Sequence, residues 1–262
     1  MGKGHARPPD QYWREVLTGG YARLRFLRRI MNALDSPPRC KMCAAPFGRP
    51  WGPMLRLVGK GRSAIHPLLC KVCFRNMYQR HRGGAEVELS LLFADVRGST
   101  ALAEGISPAE FGELLNRFYE ISSRVIDEEG GMVDKYLGDG VFALFVPGFT
   151  GPDHARHAIA AGRRLLSASK AGADDARIPV GVGVHSGTAF TGVVGGTPEM
   201  LDFTAVGDAV NVAARLGSMA APGQLLVSAD TVTSAEMDAT GFERRRLRLE
   251  GRQEEIDTFV VT

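Results

Sequence analysis

Residues 132–146 read MVDKYLGDGVFALFV, two apolar runs, Met132 to Leu137 and Val141 to Val146, on either side of Gly138-Asp139-Gly140. A glycine-containing turn between two such runs predicts a β-hairpin, because glycine reaches the backbone conformations that a tight reversal needs. Upstream, Pro108 to Glu128 repeats Phe111, Leu114, Leu115, Phe118, Ile121 and Val125 at helical spacing, with Ser107 placed to cap it and Gly130-Gly131 to stop it. Val87 to Ala94 reads as a strand before that helix. After the hairpin, Asp153 to Ser169 reads as a second helix and Ile178 to His185 as a further strand. The order β-α-β-β-α-β predicts an α+β fold of the ferredoxin-like type.

In that order the first strand and the hairpin are neighbours in one sheet. The first strand runs out in Phe93-Ala-Asp-Val-Arg-Gly-Ser-Thr100, so Asp95 at its end and Asp139 in the hairpin turn converge. Two carboxylates held close repel unless a cation lies between them. Oxygen donors without nearby His or Cys favour Mg2+ or Mn2+. Arg97, Gly98, Ser99 and Thr100 stand at a helix start, where backbone N–H groups can receive phosphate. Taken singly, Asp95 reads better as a helix cap paired with Arg97, and Asp139 better as an ordinary Asp-Gly turn residue.

The charge is divided unevenly along the chain. Residues 1–85 carry 17 Lys and Arg against 3 Asp and Glu, and residues 86–262 carry 15 against 26. A basic segment suits nucleic acid, an anionic membrane surface, or the acidic remainder of its own chain. Residues 11–34 set Leu24, Leu27 and Met31 against Arg23, Arg25, Arg28 and Arg29, an amphipathic basic helix interrupted at Gly19-Gly20. No apolar run is long enough to cross a bilayer, and the N-terminus lacks the apolar core of a secretory signal, which predicts a cytoplasmic protein.

All four cysteines fall in the basic segment, as Cys40-Lys-Met-Cys43 and Cys70-Lys-Val-Cys73. Two CxxC knuckles without a leftover thiol predict a closed, structural Zn2+ site with four thiolate ligands, the alternative being two redox pairs. The intervening stretch is rich in Gly and Pro, so a metal would organise a segment too poor in core residues to fold alone. His66, just ahead of the second knuckle, is expected at the surface or supporting the site from outside. His81-Arg-Gly-Gly-Ala-Glu86 marks the expected boundary between a module at 1–85 and a domain at 86–262.

FADVRGST, the KYLGD of Lys135 to Asp139, GVGVHSGTAFTGVVG from Gly181 to Gly195, and VGDAVNVAARL from Val206 to Leu216 together resemble the catalytic domain of class III adenylate and guanylate cyclases. The resemblance runs from about Val87 to the C-terminus. It implies that Asp95 and Asp139, with the carbonyl of Val96, hold two divalent ions, Mg2+ or Mn2+. It implies further that Asn211 orients the ribose and Arg215 stabilises charge on the α-phosphate. Lys135 and Thr204 would contact the base. Lys donates to adenine N1 and a Thr hydroxyl accepts from N6, whereas guanine inverts both demands, so ATP is expected over GTP. Thr204 in place of the commoner Asp points to a bacterial subgroup.

The same resemblance implies active sites shared across a homodimer, each chain supplying both sets of residues, and a role in intracellular signalling through cyclic AMP. Many relatives read LKGR near the C-terminus, where this chain has Leu249-Glu-Gly-Arg252, and Glu250 beside a polyphosphate is unfavourable. The runner-up reading is a degenerate, nucleotide-sensing domain whose zinc module binds nucleic acid; a third makes residues 1–85 a dimerisation and regulatory module. Neither a GxxxxGK[ST] phosphate loop nor a GxSxG nucleophile elbow is present. His185, in an apolar strand, is expected to be a packed core residue.

Overall fold

The computed structural model describes residues 9–34, 36–80, 83–171, 178–196, 201–248 and 255–261. The chain packs as two compact units. The first comprises Met1–Val87 with Phe190–Ala205, and the second Glu88–Ala189 with Val206–Thr262.

In the first unit, helices α1 (Pro9–Leu17) and α2 (Ala22–Asn32) break at Gly19, whose φ of 77° takes the chain out of the helix. Trp13, Val16 and Leu17, spaced i, i+3, i+4, form the fully buried face of α1. Short helices α3 (Trp51–Leu57) and α4 (Lys71–Arg75) follow, and one π-helical turn, Asn76–Arg80, succeeds α4.

An eight-stranded sheet organises the rest of the described chain. Its first strand is β1 (Gly84–Val96), followed by α5 (Ser99–Gly105), α6 (Pro108–Glu128) and the hairpin β2 (Met132–Leu137) and β3 (Gly140–Phe145). Then come α7 (Pro147–Thr150), α8 (His154–Lys170), β4 (Val180–Val194), β5 (Asp202–Val206) and α9 (Asp208–Met219). The chain finishes through β6 (Leu225–Ser228), α10 (Ala229–Ser234), β7 (Glu243–Arg248) and β8 (Glu255–Val260). The strands lie in the order β2-β3-β1-β4-β6-β8-β7, with β5 paired to β4 off that path. Its first four places carry the ferredoxin-like arrangement expected from the element order.

Helix α6 starts as its sequence dictates: Ser107 accepts from the Glu110 amide while the Glu110 carboxylate accepts from the Ser107 amide, a reciprocal capping box. Leu92, Ala94 and Val96 of β1 meet Phe118, Val125 and Ile126 of α6 and Ala158, Ile159 and Leu165 of α8 in the main core. On β6, Leu225 and Val227 join that core, while Leu226 joins Val212 and Leu216 of α9 in a second cluster. Strand alternation thus puts α6 and α8 on one face of the sheet and α9 on the other. No helix among the described residues is long and apolar enough to cross a membrane.

Candidate active site and cysteine cluster

Asp95 of β1 lies opposite Gly140 of β3, and the Val96 amide donates to the Asp139 carbonyl at 3.0 Å. The positive φ of Gly138, 64°, makes the turn that brings Asp139 there. Burial pushes the Asp95 carboxyl above its ordinary value; the hydrogen bond and charge of Arg97 oppose this, and the charge of Asp139 adds to it. Two acids and the neighbouring backbone carbonyl offer oxygen alone, a donor set that fits a hard divalent cation. The Arg97 guanidinium bonds the Asp95 carboxylate and the Ser218 carbonyl, and its Nε is buried without a partner.

The α9 residues Asn211 and Arg215 are both exposed, four apart, while Val212 and Leu216 are buried on the opposite flank. Lys135 Nζ stands 3.6 Å from Asp134, at an irregularity in the β2–β3 register. Thr204, on β5, is buried, its Oγ1 3.4 Å from the Ala205 carbonyl. The amides of Val96 and Arg97 are already engaged, the latter with the Pro179 carbonyl at 2.6 Å. The Arg97 amide is therefore not free to receive phosphate. Leu249, Glu250 and Arg252 lie outside the described residues. His185 is buried in β4, its Nδ1 2.8 Å from Ser228 Oγ, as a packed core residue should be.

Tyr119 was not singled out by its sequence. Its hydroxyl donates to the Gly138 carbonyl, and its ring lies 4.3 Å from that of Tyr136, so α6 braces the turn that carries Asp139. No local pattern links residues 19 positions apart on a helix and a turn.

Cys40, Cys43, Cys70 and Cys73 are all buried and unbridged, and their four sulfurs lie within 4.8 Å of one another. The Cys43 and Cys70 sulfurs are 3.8 Å apart, the edge of a tetrahedron with Zn–S bonds of about 2.3 Å. Backbone amides donate to the sulfurs, Cys70 to Cys40 at 3.2 Å and Cys73 to Cys70 at 3.4 Å, and Lys60 Nζ stands 3.7 Å from Cys43. Arg28 of α2 donates to the carbonyls of Lys41 and Met42, tying that helix to the first knuckle. Burial pushes the Cys40 thiol up, and hydrogen bonding to Cys40 pulls Cys43 and Cys70 down. Four sulfurs packed this closely suit a metal, and two separate redox pairs would not need to share one volume.

Residues 84–262 match the family model described as the adenylate and guanylate cyclase catalytic domain. An adenylate cyclase of Anabaena cylindrica is 40% identical over 137 residues, 49% of this chain and 26% of that protein. Adenylate cyclase 1 of Rhizobium meliloti is 33% identical over 148 residues, 53% of this chain and 22% of that one. The chain therefore spans about a quarter of the length of these relatives. The solved guanylyl cyclase Cya2 superposes with a TM-score of 0.63 at 26% identity, over 68% of this chain and 93% of its own. The adenylyl cyclase CyaB of P. aeruginosa, at 24% identity and a TM-score of 0.58, covers 68% and 95% and supports the fold.

Proposed function

The chain belongs to the adenylate and guanylate cyclase catalytic-domain family, and on that premise we propose that it converts ATP to 3′,5′-cyclic AMP and pyrophosphate. The observation that carries the reading is the pairing of Asp95 against Gly140, which sets Asp139 beside it and lets the charge of one acid act on the other. Asp95, Asp139 and the Val96 carbonyl would hold divalent ions, Mg2+ or Mn2+, which when bound neutralise the triphosphate and ease loss of the 3′-hydroxyl proton. The 3′-oxygen attacks the α-phosphorus in line and pyrophosphate leaves, a reaction governed by positioning and charge.

Asn211 orients the ribose, and Arg215 neutralises charge growing on the α-phosphate. Lys135 donates to adenine N1 and Thr204 accepts from N6. Because a hydroxyl also rotates to donate, Thr204 discriminates less sharply than a carboxylate. The relatives named adenylate cyclase favour the same base. In the cysteine cluster, Zn2+ is structural, since four thiolates leave no position open for substrate. Residues 1–85 then form a regulatory or dimerisation module of a homodimeric enzyme.

The test is turnover of ATP and GTP by purified protein with Mg2+ and with Mn2+, repeated with Asp139→Ala. Cyclic AMP from ATP at a rate that falls at least about a hundredfold in the variant is the expected result. Preferential turnover of GTP would reverse the base assignment. Full activity in Asp139→Ala would remove the acids from the mechanism.

A further inference from the structure

The first compact unit joins the cysteine module to Phe190–Ala205, the stretch of chain that ends beside Thr204. One ring contact makes the junction. Trp13 of α1, fully buried, stacks on Phe203 of β5 with ring centroids 6.0 Å apart and planes at 28°. Side chains alternate along a strand, so Phe203 and Ala205 share one face and Thr204 takes the other. Trp13 thus backs β5 on the Phe203 face, and alternation turns Thr204 to the other.

A second layer connects Trp13 to the cysteines. Tyr12 packs edge-on against Trp13 at 5.9 Å and against Tyr21 at 5.4 Å. Phe74, next to Cys73, stacks on Tyr78 at 4.4 Å, and Tyr78 in turn borders His66. Arg28 of α2 bonds the Lys41 and Met42 carbonyls of the first knuckle, and Tyr21 at the head of α2 meets Tyr12, so the cysteine module is tied through α2 to Trp13. At the chain's own crossing the backbones touch: a Cβ on Gly84 would lie 2.3 Å from the Thr191 carbonyl oxygen, and the Val193 amide donates to Gly83 at 2.8 Å.

We infer that Trp13 is a positioning residue for nucleotide selection: the metal-organised module presses Trp13 on Phe203 and so fixes the register in which Thr204 meets the base. This rests on the reading of Thr204 as a base contact and of the four cysteines as a zinc site. It gives the module a direct route to substrate affinity. Losing the metal slackens β5, and the enzyme loses base discrimination before it loses the capacity for chemistry.

The experiment uses the full chain carrying Trp51→Phe, which leaves Trp13 the sole tryptophan. Steady-state kinetics on Mn-ATP and Mn-GTP are compared among that protein, Trp13→Ala, Trp13→Phe and Phe203→Leu. Trp13→Ala and Phe203→Leu are expected to raise the KM for ATP about tenfold and to shrink the ATP-to-GTP preference by a similar factor, the range of one misplaced contact. Their kcat should stay within about twofold, and Trp13→Phe should recover most of the loss. Should Trp13→Ala fail to fold, Phe203→Leu decides. Unchanged KM and unchanged preference in Phe203→Leu overturn the inference, as does a fall in kcat alone.

Emission from Trp13 supplies a readout independent of turnover. Extracting zinc with phenanthroline while Mn2+ is kept in excess should shift that emission to the red, and an unmoved spectrum overturns the coupling. If the unsubstituted chain converts neither nucleotide, the reading of the preceding subsection fails and takes the selection role of Trp13 with it, while the emission result separately decides whether the cysteine module is coupled to Trp13.

Discussion

Gly183 has no side chain because none would fit. A Cβ there would lie 2.1 Å from the Gly217 amide nitrogen and 2.5 Å from the Leu216 carbonyl carbon, both backbone atoms of α9. Helix α9 carries Asn211 and Arg215, so β4 sets the height of these side chains above the sheet. Gly183→Ala is therefore expected to cost about 1–3 kcal/mol in urea unfolding, the range for overpacking a filled interior, and to lower kcat/KM as α9 is pushed away. Gly112 is the contrasting case. It sits inside α6 with open space around its missing Cβ and ordinary helical backbone. Gly112→Ala should stabilise the protein by about 0.5–1 kcal/mol with activity unchanged. A loss of stability at Gly112, or none at Gly183, would show that the packing is misread.

At the scale of elements, α6 and α8 are joined where their ends meet. Arg164 of α8 bonds both Glu128 and Glu129, and His157 stands 3.1 Å from Glu129. Burial alone would raise the Glu129 carboxyl, but Arg164 and His157 outweigh it and hold it below its ordinary value. A carboxyl depressed in the folded state contributes stability above its unfolded value and loses it as the pH falls through the folded one. Glu129→Gln should therefore lower the urea midpoint at pH 7, and the gap from the parent should close as the pH drops below the unfolded value of 4.5. A gap that stays constant across that range would mean the ion pair contributes nothing.

Elements with local signals were legible in the sequence. Helix α6 runs from Pro108 to Glu128 as its periodicity and cap require, the hairpin strands fall where the two apolar runs do, and Gly19-Gly20 divides the basic helix. Strand β7 was not legible. It is an edge strand of Glu243, three arginines, Leu247 and Arg248, mostly exposed and paired through Arg244 and Arg246 with Asp257, so no apolar alternation announces it. For the site, motif spacing placed Asp95 beside Asp139 because neighbouring strands carry them. It could not reveal Tyr119 behind the turn or Trp13 behind β5, since both contacts join residues distant in the chain.

At the scale of the whole molecule, the exposed apolar residues bear on whether one copy suffices. Among the described residues of the second compact unit the large exposed ones are Tyr136, Leu137, Val206 and Met219. Each lies within four residues of a proposed site residue: Lys135, Asp139, Thr204 or Arg215. Exposed apolar side chains next to the proposed site residues in sequence are what a face covered by a second copy would present. Lys135 and Asp139, four residues apart on one hairpin, would then serve two different sites. An Asp95→Ala chain and an Arg215→Ala chain should each be inactive, because each lacks one half of both sites. Mixed in equal amounts and allowed to exchange, they should recover about a quarter of parental activity, since half the dimers are mixed and each mixed dimer keeps one of two sites. Recovery should fall on dilution below the dimer dissociation constant. Failure to recover activity in mixtures proven to exchange subunits would return all the catalytic residues to a single chain.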